Sequence, residues 1–121
     1  MENGIDILVA TPGRLLDLQN QGLGDDVIVM TTSEFGRRTY ENGAFGTDHG
    51  SSAPQLILGN NLNGSIFGGE PDLSNLDSNQ NLLHTVDYRQ IYASLMTEWF
   101  GHSPEIVQST FSQNFNPLGI F

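Results

Sequence analysis

The chain of 121 residues contains no cysteine and no lysine, and four arginines are its only permanently basic side chains. The absence of cysteine excludes disulfides and thiolate metal ligands, and it leaves the redox compartment open. Fourteen acidic residues give a formal net charge of −10. Such a surface repels phosphate backbones, so nucleic acid is an unlikely partner. The acidity suits divalent cations, but it equally suits plain solubility.

Long hydrophobic runs are also lacking. No apolar stretch approaches the length that spans a bilayer, so no membrane partner is expected. The first residues show no basic region followed by an apolar core, so the chain carries no visible signal peptide. A length of 121 residues indicates one domain, residues 1–121. Fourteen glycines and a hydrophobic content of 37% predict long loops.

The first part of the chain predicts a strand, a helix and a second strand. Residues 5–10 are apolar and rich in β-branched side chains. Thr11 is suited to cap the following helix, with Pro12 at its first position and Gly22 near its end. Residues 27–32 form the second apolar run. This pattern predicts a βαβ unit with parallel strands.

The later part predicts one more strand and two helices. Residues 35–54 are expected to form a long loop, residues 55–59 a strand, and residues 60–81 further loops and hairpins. Asp87 is suited to cap a helix that ends at Gly101, and Ser103 and Pro104 open a short final helix. The apolar face of the first of these helices is predicted to dock on the sheet and comprises Tyr88, Ile91, Tyr92, Leu95 and Trp99. The predicted fold class is α/β, with a small, mainly parallel sheet and flanking helices.

Residues that can bind metals or anions follow the strand predicted at 27–32. Polar groups at the carboxyl end of a buried strand lie where open α/β sheets place their chemistry. Carboxylates and imidazole are metal ligands, and arginine binds oxyanions. A polar surface loop with turn glycines is the alternative interpretation. The candidates are Glu34, Arg37, Asn42, Asp48 and His49.

The order of these residues resembles a known family. Ser-Glu-Phe-Gly-Arg at 33–37, then Asn42, then Gly-Thr-Asp-His-Gly at 46–50 is similar to the family catalogued as domain of unknown function 1501. The resemblance extends over about residues 15–121 and includes residues 56–59, 63–68, 87–93 and 117–119. That family is sulfatase-like and belongs to the alkaline-phosphatase superfamily. The resemblance implies a fragment of its three-layer fold, from a family whose members are often exported.

The resemblance also implies roles for individual residues. Glu34, Asp48 and His49 match metal ligands, with zinc, manganese or calcium as the implied divalent ion. Arg37 and Asn42 are candidate contacts to an anion or substrate, because a guanidinium can hold an oxyanion bidentately; the alternatives are an ion pair of Arg37 with Glu34 or Asp48, and a turn residue at Asn42. Many superfamily members have Asp-His at the strand end, whereas Glu34 is followed here by a phenylalanine, which cannot bind metal. The superfamily's nucleophile lies in an amino-terminal half that has no counterpart here, so whether the chain is an enzyme stays open.

A second resemblance covers about residues 2–18. Thr-Pro-Gly-Arg at 11–14 follows a predicted strand, as in DEAD-box RNA helicases, and implies RNA contacts by Thr11, Gly13 and Arg14. The phosphate-cradling loop of those enzymes is absent from the sequence. The chain therefore looks composite or truncated, with a helicase-like unit at 1–24 and a sulfatase-like portion at 25–121.

The sequence thus predicts the carboxyl-terminal part of a sulfatase- or phosphatase-like protein that carries part of a metal or anion site. We do not expect it to be a competent hydrolase alone. The alternatives are a metal- or anion-binding module that acts within an assembly, and a fragment derived from an RNA helicase. An unpaired sheet edge is expected to favour self-association.

Overall fold

The computed structural model describes residues 12–64 and 66–121, so the strand predicted at 5–10 and the cap at Thr11 lie outside the described residues. Helix α1, Pro12–Leu18, begins at the predicted proline. A π-helical turn, Gln19–Leu23, and a 3-10 turn, Gly24–Asp26, follow it. Gly22 interrupts the helical backbone with φ +82°, a conformation that glycine adopts without steric cost.

In the part of the chain that the structure describes, four short strands form two antiparallel pairs. Strand β1, Val29–Met30, pairs with β4, Ile57–Leu58, so that Val29 lies opposite Leu58. Strand β2, Gly36–Arg37, pairs with β3, His49–Gly50. The described part of the protein is therefore a small α/β structure with short antiparallel strands.

The strand directions differ from the mainly parallel sheet that the sequence predicted. A parallel pair needs a crossover connection, usually a helix. The chain between β1 and β4 contains no helix; the connection consists of the β2–β3 hairpin and its flanking loops. The prediction that residues 35–54 form only a loop is also wrong, because β2 and β3 lie within them.

The helices near the carboxyl end agree with the sequence signals. Helix α2, Tyr88–Ser94, continues as a π-helical turn, Leu95–Trp99. Asp87 caps it in a reciprocal capping box with Gln90. Gly101 follows its end with φ +69°. Helix α3, Pro104–Phe111, begins after Ser103.

The core lies between these helices and the last residues of the chain. The buried apolar side chains of the described part are Ala93, Val107 and Ile120. Trp99 packs on Phe121 with ring centroids 5.5 Å apart. Tyr88, which the sequence placed in the core, is 57% exposed. Among the described residues the core is therefore small and lies at the helical end near the carboxyl terminus.

Two polar side chains, one on α2 and one on the π-helical turn that follows it, hold the last residues of the chain in place. Ser94 is fully buried, accepts from the Leu118 amide at 2.7 Å and donates to the Gln90 carbonyl oxygen. One turn further on, the Glu98 carboxylate accepts from three consecutive amides, those of Gly119, Ile120 and Phe121, at 2.8–3.2 Å. Hydrogen bonds to Ser94 and Glu98 thus act together with the packing of Ile120 and Phe121 to fix the carboxyl-terminal segment.

The predicted packing of α2 on the strands is replaced by an open space. A cleft of about 1180 Å³ lies between α2 and β4, and both elements contribute to its lining. Leu56, directly before β4, and Leu58, within it, flank Ile57 and are each 61% exposed. A strand that is apolar at consecutive positions is typical of a sheet covered on both faces. The β1–β4 pair is therefore an incompletely covered sheet.

Within residues 12–64 and 66–121, none of the helices is long and apolar enough to cross a membrane.

Candidate functional site

The β2–β3 hairpin is closed by two glycines that let its backbones approach. A Cβ atom at Gly36 would lie 1.6 Å from the Ser52 carbonyl oxygen. A Cβ atom at Gly50 would lie 2.7 Å from the Arg37 carbonyl carbon. Neither contact can be relieved by moving a flexible side chain, because the neighbouring atoms belong to the backbone. Gly36 and Gly50 also face each other across the ladder. The backbones can approach this closely because the two opposed positions are glycines, which have no side chain.

One face of the hairpin brings together an arginine, a histidine and a phenylalanine. Arg37 lies directly opposite His49 in the ladder. The Phe35 ring stacks on the His49 imidazole, with centroids 3.5 Å apart and planes inclined by 12°. The Arg37 guanidinium lies 5.0 Å from the centroid of the same phenyl ring. Arg37 also donates to the Thr47 carbonyl oxygen at 2.7 Å. Two nitrogen-donor side chains are thus held side by side on an aromatic base.

The opposite face carries the second arginine. Arg38 donates to the Tyr40 hydroxyl at 2.7 Å and to the His49 carbonyl oxygen at 3.2 Å. The hydrogen bond with Tyr40, aided by the nearby Asp48 and Asp77 carboxylates, raises the pKa of the Arg38 guanidinium above its ordinary value. The hydrogen bonds of Arg38 therefore stabilise the hairpin.

Asn42 organises the turn that joins the two strands. Its side-chain amide donates to the Asp48 carboxylate at 2.8 Å. Its side-chain oxygen accepts from the amides of Ala44 and Gly46 at 3.0 and 3.1 Å. These bonds close a tight local turn. The position of Asn42 in the candidate site is therefore that of a turn-forming residue whose side chain also holds Asp48.

The three predicted metal ligands are separated by the strand geometry. Successive side chains of a strand point to opposite faces, so Asp48 and His49 diverge. Asp48 is bonded to Asn42, His49 stacks on Phe35, and Glu34 is exposed before β2. Within residues 12–64 and 66–121, no group of three histidine or acidic side chains is placed to hold one metal ion. The donors present do not form a closed metal site in this arrangement.

The cleft next to the hairpin adds residues that the sequence analysis did not assign to the site. Glu34, Phe35 and Gly36 line one wall, and His84 and Arg89 line the other. No local sequence pattern indicates that these residues are neighbours, because the two walls of the cleft are far apart along the chain. The only clue was that His84 precedes the cap of α2 by three positions.

Arg89 is paired within the cleft wall. Its guanidinium donates twice to the Asp87 carboxylate, at 2.9 and 2.6 Å, and lies 4.5 Å from the Phe115 ring centroid. The hydrogen bond from this guanidinium, together with the Arg89 amide and charge, lowers the pKa of Asp87 from 3.8 to about 2. The pair anchors the start of α2 and leaves Arg89 little freedom to bind another anion.

The lowered pKa of Asp87 predicts an acid-sensitive contribution to stability. Because the carboxyl binds its proton less readily in the folded state, it stabilises the fold above about pH 4 and loses that effect as the pH falls toward 2. We expect Asp87→Ala to cost about 1–2 kcal/mol near neutral pH. Asp87→Asn keeps a good cap and should cost less.

Urea denaturation at about pH 7 and about pH 2.5 measures this contribution. The difference between the parent chain and Asp87→Asn should shrink at the lower pH. A difference of the same size at both values would show that the ion pair with Arg89 contributes nothing.

Two of the three residues of the predicted RNA contact, Gly13 and Arg14, lie at the start of α1. Thr11 lies outside the described residues, and Gly13 and Arg14 are exposed in the first turns of the helix. The Arg14 guanidinium lies 3.9 Å from the Asp17 carboxylate on the next turn. The RNA contact stays an untested prediction, and the charge of −10 continues to argue against it.

The chain matches the family described as "Protein of unknown function (DUF1501)" over residues 10–111. The chain therefore belongs to that family, as the motif order in residues 33–50 indicated. The match includes residues 11–14, which the sequence analysis assigned to a helicase-like unit. No curated protein matches the chain. No solved structure matches it either.

Proposed function

We propose that this chain is the carboxyl-terminal part of a sulfatase- or phosphatase-like protein, and that its hairpin supplies an oxyanion contact to a site completed by other elements. The observation that carries the proposal is the cross-strand pair of Arg37 and His49 above Phe35. The proposal rests on two supports. One is the family membership of the chain, and the other is the resemblance of residues 33–50 to the alkaline-phosphatase superfamily.

The chemistry of this pair suits a sulfate or phosphate group. A guanidinium binds two oxygens of such a group at once, and an imidazole N–H adds a further donor. Both side chains are exposed, so a ligand can reach them. The described contacts of the Arg37 side chain engage one guanidinium nitrogen, in the bond to Thr47, which leaves other N–H groups for a ligand.

The proposed role is a contribution to a site and not turnover by this chain alone. The resemblance places the nucleophile in a segment that has no counterpart in this sequence. The two carboxylates and the imidazole do not converge on one point. We therefore assign Glu34, Asp48 and His49 at most a partial ligand set, which leaves open coordination positions for donors from elsewhere.

A structural module that binds an anion or metal within an assembly is the second candidate. The exposed Leu56 and Leu58, at the start of β4 and within it, favour this candidate, because such an apolar strand is normally covered. In that role the hairpin would hold an ion at an interface without catalysing a reaction.

The anion contact is tested by titrating the chain with inorganic phosphate and with sulfate. We expect weak binding, with dissociation constants in about the millimolar range, since one exposed arginine and one imidazole contribute little alone. Arg37→Gln should weaken binding roughly tenfold. Amide shifts in nuclear magnetic resonance spectra would locate the site.

Arg14→Gln is the matched control, because Arg14 is also exposed but lies on α1. It should leave the affinity unchanged. If Arg14→Gln and Arg37→Gln weaken binding equally, the anion responds only to overall charge and the site assignment is wrong.

Metal binding is tested separately by calorimetric titration with zinc and with manganese. We expect at most weak binding by the isolated chain, reduced by Glu34→Ala and by His49→Ala, since two or three separated ligands do not close a site. Isotherms that both replacements leave unchanged would remove these residues from the proposed ligand set.

A further inference from the structure

The Phe35 ring belongs both to the oxyanion contact proposed above and to the cleft between α2 and β4. It stacks on the His49 imidazole with centroids 3.5 Å apart, and the Arg37 guanidinium lies 5.0 Å from its centroid. Phe35 and the following residue, Gly36, also line the cleft. The place proposed for an anion is therefore adjacent to the cleft.

The cleft has the size and the lining of a small-molecule site. Its volume of about 1180 Å³ is large enough for an organic molecule with several rings. Its apolar lining includes Ile57, Leu62, Leu83, Ile91 and Tyr92. Burial of apolar surface against such side chains is favourable, so the lining favours a ligand with an apolar body.

The charged side chains of the cleft oppose a second anionic group. Arg89 lines the cleft, but its guanidinium already donates to the Asp87 carboxylate at 2.9 and 2.6 Å. Glu34, also in the lining, adds a negative charge to a chain whose formal net charge is −10. An anionic group deep in the cleft would therefore be repelled. A ligand that fits carries its charge at Arg37 and leaves the cleft to an uncharged part.

Two hydroxyl groups that line the cleft are engaged within the chain. Ser51 and Ser52 both donate to the Leu82 carbonyl oxygen, at 3.1 and 2.7 Å. A hydroxyl has one proton to donate, so neither donates to a ligand while these bonds persist. A polar body would lose hydrogen bonds to water that these two groups do not replace as donors. The cleft therefore favours an apolar body over a sugar-like one.

We propose that the cleft and the Arg37–His49 pair together bind an amphiphilic anion, which carries one sulfate or phosphate group on an uncharged, apolar body. The anionic group lies against Arg37 and His49, and the body enters the cleft beside Phe35. This binding mode rests on the oxyanion contact proposed above, and it adds the class of molecule that carries the anion.

Calorimetric titration of the full chain with four probes tests the two parts of the ligand. We expect 1-naphthyl phosphate to bind at least about tenfold more tightly than methyl phosphate, because its rings bury apolar area in the cleft. It should also bind more tightly than 1-naphthol, which lacks the anion. Glucose 1-phosphate has a polar body and should bind no more tightly than methyl phosphate. The methyl and 1-naphthyl sulfates should differ in the same direction as the phosphates.

Two exposed leucines of the cleft provide variants that are expected to fold. Leu56 is 61% and Leu83 48% exposed, and both line the cleft. Leu56→Asn and Leu83→Asn should each weaken 1-naphthyl phosphate binding at least about threefold and leave methyl phosphate binding unchanged. Leu58→Asn is the matched control, since Leu58 is also 61% exposed but does not line the cleft. It should change neither affinity.

Arg37→Gln separates failure of the cleft assignment from failure of the oxyanion contact. It should weaken the binding of both phosphates. If it does so while 1-naphthyl and methyl phosphate bind equally, or while Leu56→Asn and Leu83→Asn leave their ratio unchanged, the cleft assignment is wrong and the oxyanion contact stands. Binding of 1-naphthol as tight as that of 1-naphthyl phosphate would likewise overturn the joint site. If Arg37→Gln changes neither affinity, the oxyanion contact itself is wrong, and the amphiphilic-anion site is wrong with it.

Discussion

Gly36→Ala is expected to open the base of the hairpin and to lower the free energy of unfolding by at least about 3 kcal/mol. The new Cβ atom would lie 1.6 Å from the carbonyl oxygen of Ser52 and 2.3 Å from its carbonyl carbon. Because both atoms belong to the backbone, the strands must separate to relieve the overlap. Arg37 and His49 would then lose their cross-strand relation.

Urea denaturation measures the change in the free energy of unfolding. The amide signals of the hairpin in nuclear magnetic resonance spectra report whether its strands stay paired. Gly43→Ala is the control, because a Cβ atom there meets nothing within 4 Å. The control should unfold like the parent chain and keep the hairpin signals. If Gly36→Ala also keeps them, the close approach of Gly36 and Ser52 is not a property of the folded protein.

Replacement of Glu98 is expected to have an effect of similar size at the other end of the molecule. Glu98→Ala removes the acceptor of the Gly119, Ile120 and Phe121 amides. Hydrogen bonds to a charged group contribute about 1.5–3 kcal/mol each, and the partly exposed site reduces their sum. We expect a loss of about 3 kcal/mol and release of the carboxyl-terminal segment, with Ile120 withdrawn from the core.

Hydrogen exchange at these three amides is the direct readout. In Glu98→Ala they should exchange far faster than the amides in the middle of α2. Glu105→Ala is the control, since Glu105 is exposed in the first turn of α3. It should leave exchange at the segment unchanged. Protection that persists in Glu98→Ala would show that the segment is held by apolar packing.

The helices could be predicted because their signals are local. Asp87 and Gln90 form the capping box within one turn, and Gly101 and Pro104 mark an end and a start within a few residues. The strand directions could not be predicted in this way. An apolar run such as residues 27–32 fits parallel and antiparallel pairing equally, and the choice depends on contacts distant in sequence.

The candidate site was predicted as a set of residues but not as a geometry. Residues 33–50 were recognised from their order, yet they were assigned to a loop. Period-two alternation places Asp48 and His49 on opposite faces and Arg37 beside His49. If residues 36–38 and 48–50 had been predicted as paired strands, Asp48 and His49, two of the predicted metal ligands, would have been placed on opposite faces. The cleft wall with His84 could not be found from sequence, because nothing local links it to Glu34.

The proposed oxyanion contact requires that Arg37 and His49 bind one anion as a unit. A double-mutant cycle on phosphate affinity tests it most directly, using Arg37→Gln, His49→Gln and the double variant. If both side chains hold the same anion, removing the second after the first should cost less than removing it alone, so the double variant should weaken binding less than the product of the single effects. Single effects that multiply fully, or a His49→Gln affinity equal to that of the parent chain, would show that the two side chains do not hold one anion together.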